Sequence, residues 1–353
     1  MKRVSLILTA AVLATACGGS TPPAPQSTAD VYVAGWESNG RVWVAKVWKN
    51  GAATSLPLPD ATQNASAQSV AISGSDVYVA GYEVNIVSES CYGDGSGSGG
   101  EYCPYSAQSN AVAMVWKYGA ATPLTDGTQD ARAYSVAISG VDVYTAGSQG
   151  GVARVWKNGV ATPLTDGTQG SEATFVAISG SDVYVAGYEG NVAVVWKNGV
   201  ATPLTNGTHV ARAQSVAVSG GDVYVAGYES NGTNHVAKVW KNGAATPLTD
   251  GAREAYAYSV AISGGDVYVA GWESNGRGHV AKVWKNGAAS DLTDGTRVAQ
   301  ANAVAISGGD VYATGYEFVG GYDVAKVWKN GVATDLTDGT HQARANSILA
   351  NSH

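Results

Sequence analysis

The chain has 353 residues, which is enough for two ordinary domains or one large β domain. Its net charge of −7 argues against a nucleic-acid partner, because such proteins need a basic surface. Glycine is abundant at 46 residues, and 10 Trp and 19 Tyr stand beside only 2 Phe and 2 Met. A disordered chain would lack these aromatic residues, and a helical bundle would contain far less glycine. The composition therefore favours a β-rich protein with many turns.

The first 16 residues have the features of a secretory signal. Lys2 and Arg3 precede an apolar stretch that is too short to cross a bilayer. The stretch runs into LATAC at 13–17, and small residues before a cysteine at this place resemble a bacterial lipobox. The resemblance implies that Cys17 is lipidated. Because glycines rather than an aspartate follow Cys17, the resemblance also implies that the anchor lies in the outer membrane of a Gram-negative bacterium. The alternative is ordinary signal cleavage after Ala16, which leaves a free cysteine.

The segment at 17–29 contains no charged side chain and is rich in proline and serine, which predicts a flexible tether. Cys91 and Cys103 lie together in one later loop. Because disulfides persist in exported proteins, we expect a bridge between these two cysteines. The same loop contains no histidine that could complete a metal site. The sequence predicts no metal and no other cofactor.

An internal repeat is the strongest signal in the chain. Asp-Val-Tyr occurs seven times, with its aspartate at 30, 76, 142, 182, 222, 266 and 310. Val-Trp-Lys also occurs seven times, with its tryptophan at 48, 116, 156, 196, 240, 284 and 328. The units are 40–46 residues long except for the second, which carries an insert at 84–110. We therefore expect one domain over residues 30–353.

Each unit predicts four short antiparallel strands. In the unit around Asp266, the residue patterns predict strands at 258–263, 266–273, 279–285 and 288–292. Gly264-Gly265 and Asn286-Gly287 mark hairpin turns, because glycine and asparagine accept the positive φ of a type I′ turn. Four strands in 40–46 residues correspond to one blade of a β-propeller.

The two ends of the chain indicate a closed ring rather than an open solenoid. The first unit lacks the strand that begins every other unit, and residues 345–352 supply that strand at the C-terminus. When the strands at the two chain ends pair, the ring of sheets has no open end. An open solenoid would instead need a polar capping unit at each end. The prediction is a monomeric, all-β, seven-bladed β-propeller whose N-terminal blade is completed by the C-terminal strand.

The order of motifs within a unit resembles the kelch repeat: an apolar strand, a glycine-containing turn, Tyr-Val-Ala-Gly and then a tryptophan strand. Ala-Gly-aromatic-Glu replaces the kelch double glycine, and the Gly-His and Trp-Asp pairs of WD40 repeats are absent. The run VYVAG…VWKNG…LTDGT resembles uncharacterised bacterial repeat lipoproteins of the propeller type over residues 30–353. The resemblance implies the fold and carries no activity or catalytic residue.

The loops between second and third strands and between blades are expected on one face, here called the loop-rich face, where binding concentrates. Aromatic–acid pairs end the second strand of six blades and are candidate ligand-binding residues: Trp36-Glu37, Tyr82-Glu83, Tyr188-Glu189, Tyr228-Glu229, Trp272-Glu273 and Tyr316-Glu317. Ser148-Gln149 replaces the pair in the third blade. Inter-blade polar residues fall on the same face: Asp60, Asp126, Asp166, Asn206, Asp250, Asp294 and Asp338. Aromatic rings beside acids could bind sugar rings or cationic groups. Alternatively, the aromatic side chains fill the gaps between blades and the acids cap turns.

Two positions at the start of the first strand vary between otherwise similar units. The first variable position holds Ser66, Arg132, Glu172, Arg212, Tyr256, Gln300 and Arg344. The second variable position holds Gln68, Tyr134, Thr174, Gln214, Tyr258, Asn302 and Asn346. Because alternate residues share one side of a strand, we expect both sets to ring the mouth of the central channel. Arg132, Arg212, Tyr256 and Arg344 are further candidate ligand-binding residues, and the alternative is drift at solvated positions.

The insert at 84–110 is the one large asymmetry among the units. It contains three tyrosines, and its centre at 93–100 is rich in glycine and serine. A loop pinned by a disulfide on the loop-rich face could serve as a lid or a contact arm. The alternative is an insertion that is tolerated at an exposed loop tip.

Known catalytic patterns are absent from the sequence: there is no Gly-x-Ser-x-Gly, no His-Glu-x-x-His, no P-loop, no EF-hand loop and no sialidase box. We therefore expect a non-catalytic binding or scaffold module in the cell envelope that recognises a glycan or protein through the loop-rich face. One alternative is a hydrolase or lyase that acts on extracellular or cell-wall polymers. Another is a mainly structural envelope protein.

Overall fold

The computed structural model describes residues 29–58, 62–84, 92–93, 101–102 and 110–351. The predicted signal, the lipidation site Cys17 and most of the tether lie outside these residues, as do Cys91 and Cys103 with their expected disulfide. The described part of the chain contains no helix that is long and apolar enough to cross a membrane.

Seven four-stranded antiparallel sheets make up the fold, and each sheet is one blade. Blade 1 begins with β1 (Asp30–Ser38), β2 (Trp43–Lys49) and β3 (Ala52–Ser55). Blade 2 begins with β4 (Asn64–Ser73) and β5 (Asp76–Val84). Its insert contains the short pair β6 (Tyr92–Gly93) and β7 (Glu101–Tyr102), and the blade ends with β8 (Ala111–Lys117) and β9 (Ala120–Pro123).

The next five blades contain four consecutive strands each. Blade 3 comprises β10 (Ala131–Ser139), β11 (Asp142–Gln149), β12 (Val152–Lys157) and β13 (Val160–Pro163). Blade 4 comprises β14 (Ser171–Ser179), β15 (Asp182–Glu189), β16 (Val192–Lys197) and β17 (Val200–Pro203). Blade 5 comprises β18 (Ala211–Ser219), β19 (Asp222–Ser230), β20 (His235–Lys241) and β21 (Ala244–Pro247). Blade 6 comprises β22 (Ala255–Ser263), β23 (Asp266–Ser274), β24 (His279–Lys285) and β25 (Ala288–Asp291). Blade 7 comprises β26 (Ala299–Ser307), β27 (Asp310–Val319), β28 (Tyr322–Lys329) and β29 (Val332–Asp335).

The last strand of the chain, β30 (Ala343–Asn351), pairs with β1 and completes blade 1. The predicted ring closure and the seven-bladed β-propeller are therefore confirmed. The first strands of neighbouring blades contact one another around the ring, so they line its axis. The fourth strands are exposed along their length and form the outer edge, for example β17 and β25.

Each inner strand carries a β-bulge, which the sequence reasoning did not predict. The extra, unpaired residues are Gln68, Tyr134, Thr174, Gln214, Tyr258, Asn302 and Asn346. A glycine of the second strand lies opposite each bulge, and a Cβ added to Gly227 would lie 2.0 Å from the Arg212 carbonyl oxygen. The glycine of the Tyr-Val-Ala-Gly motif is thus required by the close approach of two backbones.

Tryptophans and small residues fill the space between blades. All seven Val-Trp-Lys tryptophans are at most 1% exposed, so their predicted structural role is confirmed. Trp240, for example, packs with Ala211 and Ala213 of its own inner strand and with Val195 of the preceding blade. Large aromatic side chains on one blade against alanines on the next fill a wedge-shaped gap at the density of a protein core.

The face opposite the loop-rich face is held by an Asp–Lys ion pair in every blade, and an asparagine of the turn joins the pair in six blades, with Tyr118 at its position in blade 2. Asn286 and Gly287 have φ values of 51° and 85°, as expected for a type I′ turn. Asp266 accepts hydrogen bonds of 2.8 Å from the Asn286 amide and from the Lys285 ammonium. Lys285 also lies 5.2 Å from the centroid of the Tyr268 ring. These contacts lower the pKa of Asp266 and raise that of Lys285, and they account for the repetition of Asp-Val-Tyr and Trp-Lys-Asn-Gly.

The bulge makes a direct prediction about glycine replacement. We expect Gly227→Ala to lower the free energy of unfolding by about 2 kcal/mol or more, because the new methyl group meets backbone atoms that cannot move aside. Gly170→Ala is the matched control, since a Cβ there meets no atom within 4 Å. Urea unfolding of both variants measures the difference. Equal stabilities would contradict the close packing at the bulge.

Candidate functional site

The aromatic members of the aromatic–acid pairs face the gaps between blades. Trp272 and Tyr316 are only 5% and 4% exposed. In four of the pairs, the aromatic ring lies near the first variable position of the following blade. Arg132 lies 5.0 Å from the Tyr82 ring centroid and Arg212 lies 3.7 Å from that of Tyr188. The rings therefore pack within the fold, and they do not form a row of equivalent open platforms.

The acidic members lie on the opposite side of the same strand, as the alternation of β residues requires. Most of them pair with a lysine of the third strand: Glu37 with Lys46, Glu229 with Lys238, Glu273 with Lys282 and Glu317 with Lys326. Met114 and Val194 take the lysine position in the blades of Glu83 and Glu189. The structure thus separates each acid from its aromatic neighbour, so the two do not form one binding site.

The inter-blade carboxylates cap turns. Asp166 accepts hydrogen bonds from the Thr168 amide at 2.9 Å and from the Thr168 hydroxyl at 2.7 Å, and both bonds lower its pKa. Asp126, Asp294 and Asp338 repeat this arrangement, while Asn206 and Asp250 accept the amide bond. Asp60 lies outside the described residues. These acids hold the loops that connect the blades.

A cavity of about 350 Å³ lies on the axis of the ring. The bulge residue of every blade lines it, which is the whole set at the second variable position: Gln68, Tyr134, Thr174, Gln214, Tyr258, Asn302 and Asn346. Because the inner strands start at the inter-blade loops, these residues lie near the loop-rich face. From the first variable position, Glu172, Gln300 and Arg344 also line the cavity. The other four residues at that position, Ser66, Arg132, Arg212 and Tyr256, are not part of the wall.

Four residues at the first variable position contact the aromatic ring of the preceding blade. In addition to Arg132 and Arg212, Arg344 lies 4.3 Å from the Tyr316 ring centroid. Tyr256 contacts Tyr228 edge to face at 4.5 Å. These stacked pairs form a collar around the cavity and hold the side chains in fixed positions.

The charged groups around the cavity compensate one another. Burial raises the pKa of Glu172, against the opposing effects of the nearby Tyr134 and Tyr188 and of Arg132 and Arg212. On the other side, Arg344 contacts Asp323 through Nε and through Nη2, each at 2.7 Å. Asp323 is itself buried. The cavity therefore contains little uncompensated charge.

Blades 5 and 6 contribute an arc of stacked aromatic side chains to the collar. Tyr256 stacks on Trp272 with centroids 4.9 Å apart, and Trp272 stacks on His279 at 3.6 Å. Nδ1 of His235 lies 2.7 Å from the Tyr256 hydroxyl and 3.0 Å from Oε2 of Glu254. The Trp272 indole donates a hydrogen bond of 2.9 Å to the hydroxyl of Tyr258, a residue that lines the cavity.

The sequence analysis missed several residues that this face presents. Phe175 lines the cavity at a position where the other blades have serine or, at Ala303, alanine. Comparison of Phe-Val-Ala-Ile with Ser-Val-Ala-Ile in the other units could have identified it. Trp43, Phe318 and Tyr322 lie at the loop-rich ends of their strands and are 41–43% exposed. Among the described residues, no group of three or more His, Cys, Asp and Glu side chains could hold a metal ion.

Comparisons with known proteins extend the description of the fold. No protein-family model and no curated protein sequence matches the chain. Among solved structures, the computationally designed protein Ika8 is similar with a TM-score of 0.46 and 18% identity over 91% of this chain and 93% of its own. A candidate 6-phosphogluconolactonase from Bacteroides fragilis has a TM-score of 0.45 and 14% identity, with 93% of this chain and 99% of its own covered. A chain of a nidogen–laminin complex has a TM-score of 0.41 and 11% identity, and the match covers 69% of this chain and 95% of that chain. At these values the likenesses carry no argument about function.

The buried stack predicts an unusual titration for His279. Burial lowers its pKa below the ordinary value, against the opposing effect of Glu254. Since the folded state favours the neutral imidazole, this histidine makes folding less favourable as the pH falls through its unfolded pKa of about 6.5. NMR titration should place the His279 pKa below that value in the wild type and nearer to it in Trp272→Leu, which uncovers the ring. A pKa at or above the ordinary value in the wild type would contradict the stacked geometry.

Proposed function

We propose that this protein is an exported lipoprotein of the bacterial cell envelope and a non-catalytic binding module for a glycan or protein ligand. The lipobox-like segment with Cys17 and the uncharged tether support export and anchoring. A closed ring of seven blades supports a rigid platform, and its loop-rich face is the face that presents variable residues.

One observation carries the binding proposal. The seven units are nearly identical in their structural motifs, yet the position at the bulge varies from glutamine to tyrosine, threonine and asparagine. All seven of these variable residues line one axial cavity. Because equivalent positions of a closed ring meet at its axis, the differences among these seven residues all shape this one cavity. An asymmetric polar cavity in a symmetric scaffold is what recognition of a specific ligand requires.

The arrangement of acids supports a non-catalytic role. General acid–base catalysis needs carboxyl groups that are poised near one substrate. On this face, Glu229 and Glu273 pair with lysines, and Asp126, Asp166, Asp294 and Asp338 cap turns. Among the described residues that line the cavity, the one acid is Glu172, and it has no second carboxyl group beside it in the wall. Cleavage of an envelope polymer would indicate a hydrolase or lyase instead.

The binding proposal predicts that a ligand is recovered with the soluble protein, residues 18–353. We would screen it on a glycan array and by pull-down from outer-membrane extracts. Gln214→Ala alters the cavity wall, whereas Val200→Ser alters an outer strand at a side chain that is 70% exposed. We expect Gln214→Ala to weaken capture about fivefold, because a lost hydrogen bond contributes about 1 kcal/mol, and Val200→Ser to leave capture unchanged. No ligand in either screen, together with cleavage of an envelope polymer, would overturn the proposal in favour of an enzyme.

The anchoring proposal predicts lipidation at Cys17. Cells that express the full chain and receive an alkyne-labelled palmitate should yield a labelled protein in the outer-membrane fraction. Cys17→Ser should lose the label, because no other cysteine lies at the lipobox-like segment. Labelling that survives this substitution, or wild-type protein that is processed without any label, would contradict lipid attachment at this residue.

A further inference from the structure

We infer that the axial cavity is a single site for one unit of a neutral saccharide, which is held by uncharged polar side chains against the ring of Phe175. The inference rests on the proposed binding function and names the ligand class for the cavity on the axis. It differs from a lectin with one equivalent site per blade, because the residues that carry it occur once.

The polar wall suits hydroxyl groups. Glutamine and asparagine amides and tyrosine hydroxyls both donate and accept hydrogen bonds, as sugar hydroxyls do. Tyr258 accepts a hydrogen bond from the Trp272 indole and is one of the residues that line the cavity. Gln214 and Gln300 add amide groups to the same wall.

The wall is also rigid, which lowers the entropic cost of binding. Thr174, Asn302 and Asn346 each donate a hydrogen bond of 2.8–2.9 Å to a carbonyl oxygen on the inner strand of the next blade. These bonds fix the bulge residues in place between blades. The remaining polar groups of the wall are therefore held at set positions around the axis.

The charges favour a neutral ligand. The charged residues in the wall are Glu172 and Arg344, and each already has oppositely charged neighbours. A charged ligand would have to displace one of these partners or remain uncompensated in a partly buried cavity, and both are costly. A neutral sugar unit needs hydrogen bonds alone. The volume of about 350 Å³ lies at the small end of the range of ligand sites, so it suits one small group or chain end.

Phe175 supplies the apolar surface. In four other blades the residue at this position is a serine whose hydroxyl accepts the amide of the next inner strand, as Ser135 does from Val176 at 3.1 Å and Ser259 does from Val304 at 3.2 Å. Phenylalanine cannot make that bond to Val216. The exchange replaces a link between blades by a phenyl ring in the cavity wall. Sugar rings present C–H faces that pack on aromatic rings, so a phenyl ring beside amides is suited to a saccharide.

The test compares the two phenylalanines of the chain. Phe175→Ser restores the residue that five other blades carry, so the variant is expected to fold, and a thermal melt checks this. Phe318→Ser removes the same ring from the exposed edge of the loop-rich face, where Phe318 is 43% exposed. Titration calorimetry of the soluble protein would use cellotriose, maltotriose, mannotriose and chitotriose as neutral probes, with trigalacturonate as the anionic probe.

We expect at least one neutral trisaccharide to bind with one site per chain. We expect Phe175→Ser to weaken that binding about tenfold, because the stacking contact is lost, and Phe318→Ser to leave it unchanged. Several sites per chain, preference for trigalacturonate, or equal affinity of Phe175→Ser and the wild type would overturn the inference. If no sugar probe binds, but the wild type captures a protein partner that Gln214→Ala does not capture, this inference fails and the proposed function stands. If neither a sugar nor a protein binds, both fail.

Discussion

The close approach of two backbones at the inner bulge is the constraint on which the rest of the structure depends. In every blade a glycine of the second strand lies against the carbonyl oxygen of the residue two positions before the bulge, where a Cβ would be within 1.9–2.1 Å of that oxygen. The inner strand can therefore take in one extra residue without losing its pairing on either side. Because the extra residue has no partner in the ladder, it is directed to the axis. The fold thus separates two tasks, since the paired residues build the blade and the bulge residue builds the cavity.

Ring closure turns seven such bulges into one site. The pairing of β1 with β30 places Asn346 beside the residues from the other six blades, and its amide reaches the carbonyl oxygen of Ala67 across the closed seam. The cavity is consequently a property of the closed ring. The repeated motifs serve this closure: Val-Trp-Lys fills the gaps between blades, and the Asp–Lys–Asn network holds the opposite face. Some acids and aromatics of the predicted pairs also belong to the scaffold, since Glu229 pairs with Lys238 and Trp272 is buried, whereas Tyr316 lines the cavity.

The fold could be predicted almost completely from the sequence, because repetition sevenfold makes strand patterns and turn residues unmistakable. Asn286-Gly287 identified a turn from local chemistry alone, and the terminal strand identified the closure. The site could be predicted only in part. Period-2 alternation assigned both variable positions to the cavity, but only the second position lines it in every blade, and three residues of the first position join it. The glycine of Tyr-Val-Ala-Gly signals the bulge. The pairing of Arg212 with Tyr188 lies between blades, and no pattern within one unit indicates it.

The central claim is that the residues that differ between the units bind the ligand in the axial cavity. A crystal structure of the soluble protein grown with a neutral trisaccharide that it binds tests this claim most directly. The account predicts density for one sugar unit in the axial cavity, with its face against Phe175 and its hydroxyls within hydrogen-bond distance of Gln214 and Tyr258. Density in the gaps between blades at several equivalent positions, with an empty axis, would contradict it.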